Sequence, residues 1–177
     1  MRLEGFDDVA VLDGGLPAWR AAGARVSNSP VTPSPATFTA RRRPGLIMST
    51  DEVAAAIADN KFHIVGVLDA ATYRGETDVF ARPGHIPGSM NLPIDRIRDP
   101  ETGTLRPIEE LRALFAASGL FDPAITPVTY CGGGVAATAL AHALALVGRD
   151  DVCVYDGSLT AWTADPALPL VVGEQPG

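Results

Sequence analysis

Val128-Thr129-Tyr130-Cys131-Gly132-Gly133-Gly134-Val135-Ala136-Ala137 is the stretch on which the reading of this chain turns. Pro127–Tyr130 reads as a short apolar strand. Three glycines then let the backbone curl tightly. The apolar run Gly134–Val147 has the length and composition of a helix. Cys131 therefore stands where a strand ends and a helix begins. The first N–H groups of a helix have no internal partner, and the helix dipole is positive at that end. Both favour a thiolate over a thiol, so Cys131 is predicted to be a nucleophile near neutral pH. The same N–H groups suit an anion that lands on the sulfur. A Walker loop is excluded, because Val135-Ala136-Ala137 follows the glycines where Gly-Lys-Ser/Thr is required.

Outward from this junction, strands and helices alternate. Leu46–Met48 is predicted as a strand, followed by a helix over Asp51–Asp59 that Ser49 or Thr50 caps. His63–Leu68 is a continuous apolar strand, residues 69–88 a long loop, and Ser89–Leu92 a short strand. Pro107 opens a helix through Ala117, and Gly119 ends it. Val152–Tyr155 is the last strand and Leu159–Thr163 the last helix. The expected fold is α/β, with a mostly parallel sheet of about five strands and helices on both faces. Ligands of such sheets bind beyond the carboxyl ends of the strands, and Cys131 is at one of these ends.

Composition narrows the function. The 177 residues carry 14 basic and 21 acidic side chains, a net charge of −7, and 46% are apolar. That balance supports a packed core and argues against nucleic acid or an anionic membrane as partner. No apolar run reaches transmembrane length, and residues 1–25 lack a signal-peptide pattern. Cys131 and Cys153 are too few for a disulfide framework, and His63, His85 and His142 show no metal-ligand spacing. A reduced, cytoplasmic setting without metal or cofactor is the expectation. Cys153, between Val152 and Val154, reads as core. His85 and His142 read as structural, and Asp69 and Asp156 as loop-shaping residues.

The chain also contains a repeat. Residues 6–19, FDDVAVLDGGLPAW, match residues 149–162, RDDVCVYDGSLTAW, at nine of fourteen positions. Each copy reads as a short strand, a glycine turn and a short helix with a buried Trp. Such a unit cannot bury its own apolar face. Residues 1–25 are therefore expected to be the closing piece of an earlier domain whose body lies outside this chain. Residues 26–45, rich in Pro, Ser and Thr, are the expected linker. Arg41-Arg42-Arg43 is read as a solvated or domain-clasping surface. Residues 46–177 form the expected catalytic domain.

Four segments in order carry a family resemblance: LDAATYRGE (68–76), RPGHIPGSMNLP (82–93), CGGGVAA (131–137) and VYDGSLTAW (154–162). They resemble the rhodanese sulfurtransferases, in particular the two-domain thiosulfate/3-mercaptopyruvate type. The resemblance spans residues 46–172 as one rhodanese domain, with residues 1–25 similar to the tail of the first. It implies that Cys131 takes a sulfane sulfur from a small anionic donor as a persulfide and passes it on. The acceptor is cyanide or a thiol, a thioredoxin-like protein being one candidate. It implies that the backbone of Gly132, Gly133, Gly134, Val135 and Ala136 holds the anion, and that Arg74 and Arg82 bind substrate. The missing first domain becomes an expected partner. The loop lacks the basic residues of thiosulfate enzymes. It also departs from the mercaptopyruvate pattern, with Gly133 in place of Ser/Thr, Ala136 in place of Thr, and Ala71 where an arginine is frequent. The related dual-specificity phosphatases need Cys-x5-Arg, and position 137 is Ala.

Overall fold

The computed structural model describes residues 1–177. Five strands form one sheet: β1 (Ile47–Met48), β2 (Phe62–Gly66), β3 (Met90–Asn91), β4 (Thr126–Tyr130) and β5 (Cys153–Tyr155). Their spatial order is β1-β5-β4-β2-β3, and every pairing is parallel. Parallel neighbours need crossovers, which the helices supply. These are α2 (Thr50–Ala56), α3 (Ala70–Tyr73), α4 (Ile108–Ala117), α5 (Val135–Leu146) and α6 (Ser158–Ala164), with α1 (Gly15–Ala21) preceding the sheet. No helix is long and apolar enough to cross a membrane.

Burial runs continuously along the central strands instead of alternating. Pro127–Tyr130 are all buried, as are Ile64–Gly66 and Cys153–Tyr155. Consecutive buried residues in a strand require cover on both faces of the sheet. The cover and the strands share one core of 28 buried residues, including Phe115, Leu140, Leu144 and Trp162. Helix starts follow from local chemistry. Ser49 accepts from Glu52 N–H while the Glu52 carboxylate accepts from Ser49 N–H, a capping box that starts α2. Pro107 precedes α4, and Gly119, at φ 71°, follows its end. The predicted 69–88 loop contains one short helix, α3, which Asp69 caps by accepting from Thr72 N–H at 2.9 Å.

The strand order places the chemistry. The chain leaves β2 toward the β3 edge, then returns to β4 on the other side of β2 and continues outward through β5. The crevice beyond the carboxyl ends of β2 and β4 is therefore the switch point where open α/β sheets bind ligands. Cys131 is the first residue past β4.

The N-terminal copy of the repeat behaves otherwise. Residues 6–13 form no strand, since a strand needs a neighbour's hydrogen bonds, and Trp19 is 43% exposed where a buried Trp was expected. This segment lies on the domain through polar links. Arg41 and Arg43 N–H donate to the Glu4 and Leu3 carbonyls, and Arg42 and Arg43 pair with Glu4 and Asp7. Arg2 reaches Asp150, and Leu105 N–H donates to Asp13. The arginine run thus clasps residues 3–7.

Candidate active site

The glycine loop after β4 is a set of donors that the protein itself leaves unpaired. None of the N–H groups from Gly132 to Ala137 meets a protein acceptor, and the α5 ladder begins only with Thr138 N–H to the Gly134 carbonyl at 3.1 Å. Six consecutive free N–H groups at a helix entry are the kind of donor set that an anion needs. Gly134 is sterically required, and Gly132 is tightly packed. Gly134 has φ +84°, and a Cβ there would lie 2.8 Å from Asp156 Oδ1. A Cβ on Gly132 would meet the Phe80 ring at 2.9 Å. Gly133 is different: it is exposed, and its nearest neighbour is Thr160 Oγ1 at 3.8 Å from an added Cβ.

The loop is held from behind by the entry to α6. Cys131 N–H donates to Ser158 Oγ at 3.0 Å, and Ser158 Oγ–H donates to the Tyr155 carbonyl at 2.8 Å. Leu159 N–H donates to the Cys131 carbonyl at 3.0 Å. Thr160 donates twice to the Gly132 carbonyl, from its N–H at 2.9 Å and its hydroxyl at 2.8 Å. Ser158 is fully buried at φ 48°, the chain's one non-glycine residue with positive φ. A left-handed serine costs on the order of 1–3 kcal/mol. The two hydrogen bonds of its hydroxyl fix it there.

Cys131 itself is 4% exposed, a nucleophile candidate recessed below the loop surface. Cys153 is core, as its sequence neighbours predict. Its thiol donates to the Gly45 carbonyl at 3.0 Å, and burial pushes it above the ordinary thiol range. The two cysteines therefore differ in surroundings: free N–H donors near one, apolar packing around the other.

Arg74 and Arg82 do not converge on Cys131 through any hydrogen bond. Arg82 spans the end of α6, donating to the carbonyls of Thr163, Leu168, Trp162 and Asp165 at 2.6–3.2 Å. With four of its five N–H groups so used, it serves as a brace on the last helix, contrary to the expected substrate contact. Arg74 forms a two-pronged pair with Glu76 at 2.6 and 2.8 Å, and its Nη1 lies 4.0 Å from Glu174. That pair holds Glu76 below the usual carboxylate range. Arg74 lines a cavity of about 320 Å³ with Tyr73, Met90, Asn91 and Glu174, and Cys131 is not among its walls.

The GHIPG stretch is structural. His85 is buried, stacked on Tyr73 with centroids 3.7 Å apart, and both ring nitrogens face backbone carbonyls, of Tyr73 and Gln175. Its N–H and carbonyl exchange hydrogen bonds with Val171, and Gly84, at φ +114°, packs on the Val171 carbonyl. Neither His85 nor half-buried His142 is placed to act as a base on Cys131. Sequence reasoning passed over Ser158, Thr160 and Phe80. For the first two a signal existed, since they replace Gly15 and Pro17 of the other repeat copy.

The rhodanese-like domain profile matches residues 49–165, most of the chain and all of the loop. The chain belongs to the rhodanese-like domain family. Thiosulfate/3-mercaptopyruvate sulfurtransferase 2 of Arabidopsis thaliana is 36% identical over 195 residues, covering 96% of this chain and 56% of that protein. Human 3-mercaptopyruvate sulfurtransferase is 33% identical over 164 residues, covering 91% and 54%. The chain thus spans about half the length of the curated relatives it matches. Among solved structures, the anaerobic ergothioneine biosynthesis enzyme from Chlorobium limicola, bound to trimethyl histidine, superimposes with TM-score 0.85 at 27% identity, covering 97% of this chain and 43% of that one. A variant of EanB holding ergothioneine covalently linked with a persulfide cysteine superimposes at TM-score 0.86 and 28% identity, with 97% and 43% covered.

Proposed function

We propose that this rhodanese-like domain is a sulfurtransferase that works through a Cys131 persulfide. The observation that carries the reading is the run of six unpartnered N–H groups beginning next to Cys131. Such a surface suits a nucleophile that is anionic before the reaction and after it. The Cys131 thiolate attacks the outer sulfur of thiosulfate, a new S–S bond forms, and the old one breaks with its electron pair leaving as sulfite. With 3-mercaptopyruvate as donor, the C–S bond breaks and the carbon takes a proton, leaving pyruvate. The enzyme-bound persulfide carries a negative charge on its outer sulfur, which the loop N–H groups stabilise. Cyanide or an acceptor thiolate, of thioredoxin type among the candidates, then attacks that outer sulfur and restores the Cys131 thiolate. Arg74 is the remaining basic candidate for the donor's anionic end, once Glu76 is displaced from it. Relatives named for thiosulfate and 3-mercaptopyruvate support the donor class, and the persulfide in the EanB complex supports the intermediate.

Incubation with thiosulfate or 3-mercaptopyruvate is expected to add the mass of one sulfur atom to the Cys131 peptide, removable by cyanide. Cys131→Ser is expected to abolish it. Folded protein that gains no sulfur from either donor overturns the proposal.

A second reading, a poorly active binding or regulatory module, draws on the arginines, one consumed by carbonyls and the other tied to Glu76. It predicts a high KM for both donors and rescue by a first rhodanese-like domain added in trans or by fusion. The same proposal assigns residues 1–25 to the end of such a domain. The repeat and the exposed Val9, Val11, Leu12, Leu16 and Trp19 support that assignment.

A further inference from the structure

The anion-binding loop has a weak point, and one side chain guards it. A peptide unit is planar and trans, so a carbonyl held on one side aims the N–H of the same unit to the other. Leu159 N–H pins the Cys131 carbonyl and thereby aims the Gly132 N–H away from α6. The Gly132 carbonyl, pinned by Thr160, likewise aims the Gly133 N–H. This second unit joins two glycines, the residues with the freest backbone, so it flips more readily than the Cys131–Gly132 unit before it. A flip would remove one donor from the anion-binding set and put a carbonyl dipole of the wrong sign in its place.

Thr160 opposes that flip with two hydrogen bonds, of which the hydroxyl contributes one. Its counterpart in the first repeat copy is Pro17, which has neither N–H nor hydroxyl. Thr160 Oγ1 is also the atom nearest to a side chain added at Gly133, so the exposed hydroxyl borders the loop tip.

We propose that Thr160 is a positioning residue, acting through the Gly132–Gly133 peptide to keep the Gly133 N–H within the surface that stabilises the Cys131 thiolate. This deepens the persulfide reading given above and rests on it. The test is a titration of thiolate ultraviolet absorbance, taken as the difference between each protein and its Cys131→Ser counterpart. Thr160→Val keeps the N–H bond and loses the hydroxyl. Its midpoint is expected to rise by about 0.5–1 pH unit, matching a roughly three- to tenfold loss of thiolate. Thr160→Ser is expected to restore the wild-type midpoint. Thr160→Pro loses both bonds at a first-turn helix position that proline tolerates, as Pro17 shows, and is expected to shift further. A Thr160→Val midpoint equal to wild type, or a Thr160→Ser shift as large as that of Thr160→Val, overturns the inference. Sulfur loading from thiosulfate, measured on the same samples, separates the two claims. Loading by the wild type with no midpoint shift in the variants refutes the role of Thr160 alone. A midpoint shift without loading by the wild type leaves Thr160 supported and refutes sulfur transfer.

Discussion

The two copies of the repeat share nine of fourteen residues yet end in opposite environments. In residues 149–162 the strand joins the sheet between β1 and β4, Trp162 is fully buried, and Val152, Val154 and Leu159 lie in the core. In residues 6–19 no strand forms, and Val9, Val11, Leu12, Leu16 and Trp19 are 41–66% exposed. The shared residues still impose the same local shape. Each Trp is the fifth residue of a seven-residue helix and donates its indole N–H to a carbonyl beyond the helix end, Trp19 to Arg25 and Trp162 to Pro169. Gly15 and Ser158 take the same left-handed backbone, at φ 59° and 48°.

The five differing positions account for the contrast. Arg149 donates to the Asp122 carbonyl, Cys153 to the Gly45 carbonyl, and Tyr155 shares a hydrogen bond with Thr50. Ser158 accepts from Cys131 N–H, and Thr160 donates to the Gly132 carbonyl. Their counterparts Phe6, Ala10, Leu12, Gly15 and Pro17 carry no polar side chain. Local shape lies in the identities, and tertiary attachment, including attachment to the glycine loop, lies in the differences.

The largest expected effect separates the two tryptophans. Trp162→Ala removes a fully buried ring and should cost about 3–5 kcal/mol in urea unfolding, enough to unfold a marginal domain. Trp19→Ala should cost less than about 1 kcal/mol, because the ring is partly in water already. Equal losses would show that the first copy is as integral as the second.

Next comes Ser158. Ser158→Ala leaves the buried Cys131 N–H without a partner while keeping the backbone strain, for a loss of about 1–3 kcal/mol and slower sulfur loading. Ser158→Gly also loses the bond but relieves the strain, so it should be the more stable of the two by about 1 kcal/mol. If the alanine variant is the more stable, the left-handed backbone at this position is not a source of strain. At the loop, Gly133→Ser is expected to fold normally, whereas Gly134→Ala should destabilise through its clash with Asp156.

Acid should distinguish the copies more gently. The Arg43 guanidinium holds the Asp7 carboxyl below its usual range, so the unfolded or undocked state takes up the proton first. The pair's contribution is present above about pH 4 and is lost as pH falls through the lowered value. Amide protection of residues 3–7 should fall in that window before the sheet opens. Burial holds His63 below the ordinary imidazole range, so the domain itself should lose a little stability as pH drops below about 6.5. Added salt should give the smallest change, a modest rise in exchange for residues 2–7, whose exposed ion pairs it screens. Exchange that ignores both acid and salt would mean that these pairs do not dock the segment.

Much of the fold was legible because its signals are local. Ser49 with Glu52, Pro107 before α4, and the strand read from Pro127, one residue inside its observed start, each mark an element boundary by chemistry within a few residues. The candidate nucleophile was legible for the same reason, since a cysteine before three glycines needs no distant partner to be noticed. The role expected of Arg82 was not upheld, because a guanidinium in a loop looks alike whether it meets an anion or the four carbonyls at the end of α6. Thr160 escaped notice because its partner, Gly132, is 28 residues away.

What the sequence alone determined is the α/β architecture, the switch-point position of Cys131 and the core character of Cys153. These follow from periodicity, glycine conformation and neighbouring side chains, which act over short stretches of chain. Only the tertiary structure decided that the first repeat copy forms no strand, that Arg82 braces a helix, and that α6 holds the glycine loop from behind. Strand pairing, carbonyl clusters and loop clamps are made between residues far apart in the chain. Their energies depend on which backbone groups are brought within hydrogen-bond reach, and no single segment carries that information.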